Sequence, residues 1–354
     1  MHVIITLLKF IGGAAILIAP TMLVLYFLFD PKLPPLDQAA RAELASTQPG
    51  DFVKLSEGVT YYQWHGDPDG KVVVLVHGFM VPSFVFSGLS QTLAEAGFHV
   101  LTYDQFGRGF SDRPDTEYDS ELLDRQLTEL LDALDVNQPI RLLGYSMGGA
   151  LATIFTAHHP ERVQSLALIA PAGMAPDRDG APSRLTRILL SPGVGDWLVR
   201  VFAPKLIAKR ATNGFNKAPD PALMAKRFLA QTRYDGFSEA LLSILRYYPM
   251  EGSARPSFEE VGRLGVPVWL IWGKDDTRVP LTSAPEIQRA IPQAQLNTYA
   301  HFGHEIAYAG VAAYSPALIT FFSGAGAADP HGTHPVPDQQ VEDTVRPAEP
   351  AGAP

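Results

Sequence analysis

Two textures alternate along the chain. Short aliphatic or β-branched runs, VVVLV at 72–76, HVLTY at 99–103, IRLLGY at 140–145, SLALIA at 165–170, VPVWLIW at 266–272 and AQLNTYA at 294–300, are separated by longer amphipathic stretches. The runs predict strands ending at Val76, Tyr103, Tyr145, Ala170, Trp272 and near Ala300. Between the second and third, Leu123, Leu127, Leu130, Leu131 and Leu134, with Gln126 among them, recur at helical spacing and stop before Pro139. Strand and helix alternating from about Gly50 to Gly324 predict an α/β fold, a mostly parallel sheet with helices on both faces. From about 175 to 260 the strand pattern lapses, which predicts an inserted helical cap. In it, Leu185, Ile188 and Leu189 share one helix face, Asp220 and Pro221 open a second helix, and Ser238 caps a third running through Leu241, Ile244 and Leu245 to Pro249.

The two ends depart from this texture. Twenty residues from Phe10 to Phe29 carry no charge, a length that matches a hydrocarbon core about 30 Å thick at about 1.5 Å per residue. Asp30, Pro31 and Lys32 follow, where a cleaved signal peptide would place small residues. The expectation is a single-pass membrane anchor over 1–30, a proline-stiffened linker over 31–50, a catalytic domain over 51–323 and a disordered Pro/Ala/Gly-rich tail over 324–354. Lys9 and the terminal amine ahead of the span nearly balance Lys32 and Arg41 behind it, so positive-inside reasoning only leans toward an extracytoplasmic domain.

Composition narrows the chemistry. The 354 residues are 46% hydrophobic, enough for one large domain with a sizeable core. A formal charge of −9 argues against a nucleic-acid partner, whose phosphates call for clustered Lys and Arg. With no cysteine there is no disulfide, thiolate metal site or Cys nucleophile. His331 and His334 in the tail make a poor metal site, and nothing in the pattern calls for a metal or cofactor.

The stretch RLLGYSMGGALA brackets Ser146 between Gly144 and Gly148, the G-x-S-x-G pattern of a nucleophile elbow, and it lies between a predicted strand and a predicted helix. Such a serine needs a base, an orienting acid and donors for a developing oxyanion. IWGKDD sets Asp275 and Asp276 just past one strand, and HFGHEI sets His304 just past the next, in the order serine, acid, histidine. The N–H groups of Phe79, in VHGFM, and of Met147 are placed to receive negative charge. His77 is expected to shape that loop, Asp104 to organise its own loop as an acceptor, His301 to end a strand, and His158 with His159 to close a helix before Pro160.

Taken together, VHGF, YDQFGRGFSDRP, GYSMGG, IWGKDD and HFGH resemble the α/β-hydrolase family of serine esterases and lipases, from about Lys54 to Phe322. The resemblance implies Ser146 as nucleophile, Asp276 as acid, His304 as base, and Phe79 and Met147 as oxyanion donors. LIAPAGM, GYSMGG and the apolar N-terminus are similar to the membrane-anchored monoacylglycerol lipase branch, which implies a small-molecule or lipid ester as substrate and the membrane as a partner through the N-terminal helix. Dehalogenases and epoxide hydrolases of this fold use an aspartate at the elbow, so Ser146 speaks against both. Carbon–carbon bond hydrolysis, perhydrolysis and a catalytically silent tethered binding module remain as alternatives.

Overall fold

A computed structural model describes residues 20–28, 32–47, 49–174, 183–250 and 254–324. Eight strands form one sheet: β1 (Asp51–Lys54), β2 (Val59–His65), β3 (Lys71–Val76), β4 (Phe98–Tyr103), β5 (Ile140–Tyr145), β6 (Val163–Ile169), β7 (Val268–Gly273) and β8 (Gln295–Tyr299). Their order is β1-β2-β4-β3-β5-β6-β7-β8. From β4 to β8 neighbours run parallel, whereas β1 and β2 form an antiparallel edge, with Tyr62 opposite Tyr103. The six expected strands are all present. Of the two that the pattern did not predict, VTYYQWH pairs with β4 and DFVK pairs with VTYYQWH, and neither is an uninterrupted apolar run.

The described helices are α1 (residues 20–28), α2 (Gln38–Thr47), α3 (Ser87–Glu95), α4 (Ser120–Ala133), α5 (Met147–His158), α6 (Arg184–Leu190), α7 (Val194–Asn213), α8 (Pro221–Gln231), α9 (Phe237–Tyr247), α10 (Arg255–Leu264), α11 (Ala284–Ala290), α12 (Ile306–Ala309) and α13 (Val311–Ser323). Because side chains alternate along a strand, the buried runs feed two cores. Val72, Val74, Val76, Leu142, Leu168, Leu270 and Trp272 face α4, α5, α10 and α11. Val73, Leu75, Leu143, Ile169 and Ile271 face α3, α12 and α13. The helix expected from the leucine spacing is α4, started by the Asp119 carboxylate, which accepts from the Leu122 N–H at 2.8 Å.

Helices α6 to α9 lie between β6 and β7. Asp220 caps α8 with Pro221 in its first turn, as the sequence suggests. The cap of α9 is Gly236, left-handed at φ 84°, and not Ser238. Phe258 and Val261 of α10 pack into the main core, as do Ala240 and Ile244 of α9. Phe215, Met224, Phe228, Phe237 and Leu241 enclose a small core of their own, and Phe79, Met80, Val81, Phe84 and Tyr308 pack against it.

The expected transmembrane anchor is overturned. Among the described residues no helix is long and apolar enough to cross a membrane. Of the uncharged stretch, 10–19 and 29 lie outside the described residues. The folded chain also uses this helix. The Trp197 indole of α7 donates to the Met22 carbonyl at 2.9 Å, and the Arg200 guanidinium sits 5.6 Å from the Tyr26 ring centroid. The tail assigned to 324–354 lies outside the described residues beyond Gly324.

Candidate active site

Ser146 links β5 to α5 with φ 55° and ψ −121°, a conformation that a non-glycine residue adopts only where its surroundings enforce it. The flanking glycines are part of that enforcement. A Cβ on Gly148 would stand 2.2 Å from the Val76 carbonyl oxygen, and one on Gly144 would stand 2.3 Å from that of Gly148. Backbone can therefore pack where no side chain fits, and the turn is fixed by hydrogen bonds from the Ser146 N–H to Ile169 O at 2.9 Å and from the Gly149 and Ala172 N–H groups to Ser146 O.

The serine is not alone. Ser146 Oγ lies 2.9 Å from His304 Nε2, and His304 Nδ1 lies 2.7 Å from Asp276 Oδ2. The other Asp276 oxygen accepts from the N–H groups of Arg278 at 2.8 Å and Val279 at 3.0 Å. The Asp276 side chain is fully buried, so it is a fixed acceptor that orients the imidazole, while neighbouring Asp275 is exposed. Three loops, one after each of β5, β7 and β8, thus converge at the carboxyl ends of the strands. Tyr145 holds the histidine loop by donating from its hydroxyl to the His304 carbonyl at 2.7 Å.

Phe79 and Met147 flank the serine from two sides. Met147 opens α5, where a first-turn N–H has no carbonyl one turn back to meet. Phe79 follows Gly78, whose added Cβ would lie 3.3 Å from that of Ser146. His77 fixes the peptide between Gly78 and Phe79. Its Nε2 is 2.9 Å from the Gln105 N–H, which can only donate, so Nδ1 carries the proton and donates to the Gly78 carbonyl at 2.8 Å. The Phe79 N–H, on the opposite side of the same planar peptide, is aimed accordingly. Burial and the nearby Arg108 guanidinium push the His77 pKa down to about 3, so the neutral tautomer persists.

The loop after β4 braces this arrangement. Asp104 accepts from the Ser83 N–H and hydroxyl and from the Phe110 N–H, the organising role expected of it. His301 follows β8 at φ 67°, exposed. His158 and His159 close α5, away from the serine. Sequence reasoning missed several supports of the site. Gln105 and fully buried Arg108 lie under the His77 loop, joined at 2.6 Å, and Lys217 of the inserted segment pairs with Glu305 at 2.5 Å, next to His304. Burial alone would raise the Glu305 carboxyl, but the Lys217 ammonium and the Gly303 N–H outweigh it and hold the group below the usual range. The run YDQFGRG was a signal for the first pair; a pair joining residues 88 apart leaves none.

Comparison with known proteins gives this geometry a lineage. The 2-hydroxy-6-oxononadienedioate/2-hydroxy-6-oxononatrienedioate hydrolase of Cupriavidus pinatubonensis is 26% identical over 284 residues, 76% of this chain and 94% of that protein. Monoacylglycerol lipase abhd6-B of Xenopus laevis is 24% identical over 308 residues, 80% of this chain and 86% of its own. The solved enol-lactonase of Burkholderia xenovorans LB400 shares the fold at a TM-score of 0.63 and 19% identity, covering 77% of this chain and all of that one. The sequence profile of the alpha/beta hydrolase fold matches residues 71–310, from the first residue of β3 to the end of α12. A match of that extent, on a sheet of this order, decides the family: the chain belongs to the α/β hydrolases and is a hydrolase.

Proposed function

We propose that the protein hydrolyses carboxylic esters through an acyl-enzyme on Ser146. The observation that carries this is the unbroken relay from Ser146 Oγ to His304 to Asp276, at 2.9 and 2.7 Å. In the forward step His304 Nε2 takes the serine proton as Oγ attacks the ester carbonyl. Asp276 steadies the imidazolium, and the N–H groups of Phe79 and Met147 receive the oxyanion. Collapse of the tetrahedral intermediate transfers the proton from His304 to the leaving alcohol. Water, deprotonated by the same histidine, then releases the acid.

The substrate is a lipophilic ester, of which a monoacylglycerol is one example. Two observations support this: the apolar core of the inserted helices rests on Phe79 itself, and the frog relative is named a monoacylglycerol lipase. On this reading α6 to α9 act as a cap that offers acyl chains a dry wall, on a catalytic domain spanning 51–323. A second reading, hydrolysis of a carbon–carbon bond by the same groups, is favoured by the name of the Cupriavidus relative.

A fluorophosphonate probe and a p-nitrophenyl ester series test the proposal together. Ser146→Ala is expected to abolish labelling and ester turnover with little change in melting temperature, and rates should rise from acetyl to medium-chain esters. Labelling that survives the substitution would sink the acyl-enzyme.

A further inference from the structure

A second cluster of chemically active side chains lies at the far end of α5 from the serine. Asp124 of α4 points one carboxylate oxygen at both histidines that close α5, with Oδ2 2.9 Å from His158 Nδ1 and 3.5 Å from His159 Nε2. One ligand atom from each of the three lies within 4.8 Å of the others. In a tetrahedral site with bonds of about 2.0 to 2.1 Å, neighbouring ligand atoms stand about 3.3 Å apart, so small side-chain adjustments would set all three around one ion. We propose that Asp124, His158 and His159 form a binding site for an exchangeable divalent ion of the zinc class, clipping α5 to α4.

Two independent features favour a cation here. Asp124 is only 8% exposed, and its second oxygen, Oδ1, is buried without a hydrogen-bond partner, so a charged carboxylate is left only partly compensated. The site sits at the helix C-terminus, where aligned peptide dipoles favour positive charge. Thr128, whose hydroxyl donates to the Asp124 carbonyl at 3.0 Å, also lies 3.3 Å from His159 Nε2, a contact that an ion at this nitrogen would displace. Two imidazoles and one carboxylate suit zinc, cobalt or nickel better than calcium or magnesium, which prefer oxygen ligands. His158 is 55% exposed at its side chain, which leaves a coordination position open to water and the ion free to exchange. Since the site is remote from Ser146, the ion serves α5 and not the reaction.

The test uses the full chain, stripped with chelator and titrated with Zn2+ by calorimetry and with Co2+ by visible absorption. The expected result is one equivalent bound, a raised melting temperature, and affinity about 100-fold weaker in His158→Ala and in His159→Ala. The double variant His331→Ala/His334→Ala should bind like the parent. A measurement on the unaltered protein stands beside these in case the variants fold poorly: Zn2+ should protect His158 from diethylpyrocarbonate, read by peptide mass. Absence of Zn2+ uptake, affinity unchanged by loss of His158 and His159, or no protection of His158 would each overturn the site.

Discussion

Single residues decide the chemistry at two places. Asp275 and Asp276 are adjacent and chemically alike, yet only Asp276 is buried and in contact with His304. Asp276→Asn is expected to lower kcat by about 10⁴, because the imidazole loses the acceptor that fixes its tautomer, whereas Asp275→Asn should change it little. A steady-state comparison of the two variants checks this, and an equal loss in both would contradict the contact. His77 is the second place. Its folded-state pKa, about 3 against the ordinary 6.5, means that the unfolded chain binds more protons between those values. Its contribution to stability is therefore complete above about pH 6.5 and is lost progressively as pH falls toward 3. The urea midpoint should decline across that window, less steeply in His77→Gln, and kcat of that variant should drop as the peptide that presents the Phe79 N–H loses its clasp.

At the scale of elements, the elbow works because β3 and α5 approach closely enough for the carbonyls of Val76 and His77 to lie 2.2 and 2.3 Å from where a Gly148 Cβ would be. Those atoms are backbone of a central strand and its exit, which cannot move aside. Gly148→Ala should cost more than about 3 kcal/mol, read as a lowered denaturant midpoint and loss of soluble protein. A variant of parental stability would show that the strand and helix are less tightly joined. At α8 the expected effect is smaller. Asp220→Ala removes the acceptor for the Leu223 N–H and should cost about 1 kcal/mol, measured the same way.

At the scale of the whole molecule, the N-terminal segment is tied to the inserted helices. The Met22 carbonyl meets the Trp197 indole, the Pro34 carbonyl accepts from the Asp235 N–H at 3.0 Å, and Arg41 pairs with Asp112 near the main sheet. Removing residues 1–28 strips the first tie and keeps the other two. The shortened chain should show red-shifted tryptophan emission and a modestly lower melting temperature, while turnover of short water-soluble esters persists, since none of Phe79, Ser146, Met147, Asp276 and His304 is touched. Loss of that turnover would mean that α1 helps to shape the active site.

Local chemistry made much of this legible in the sequence alone. Apart from the edge strand β8, QLNTY, which is more polar and partly exposed, five of the predicted strands announced themselves through largely apolar runs, because a parallel strand buried on both faces tolerates little else. Helix α4 did so through leucine spacing, and the elbow through glycines that only a crowded turn requires. The order of serine, aspartate and histidine followed because each occupies the loop after its own strand. What tertiary structure alone decided are relations between distant segments. The strands β1 and β2 mix polar with apolar side chains and are added to the sheet by pairing, β2 with β4 and β1 with β2. The resemblance already points to Asp276 over Asp275, and the fold supplies the physical reason, the burial of Asp276 against His304. Twenty uncharged residues match the length of a membrane crossing, yet among the described residues no helix is long and apolar enough to cross one. In the fold, α1 contacts the helix that bears Trp197.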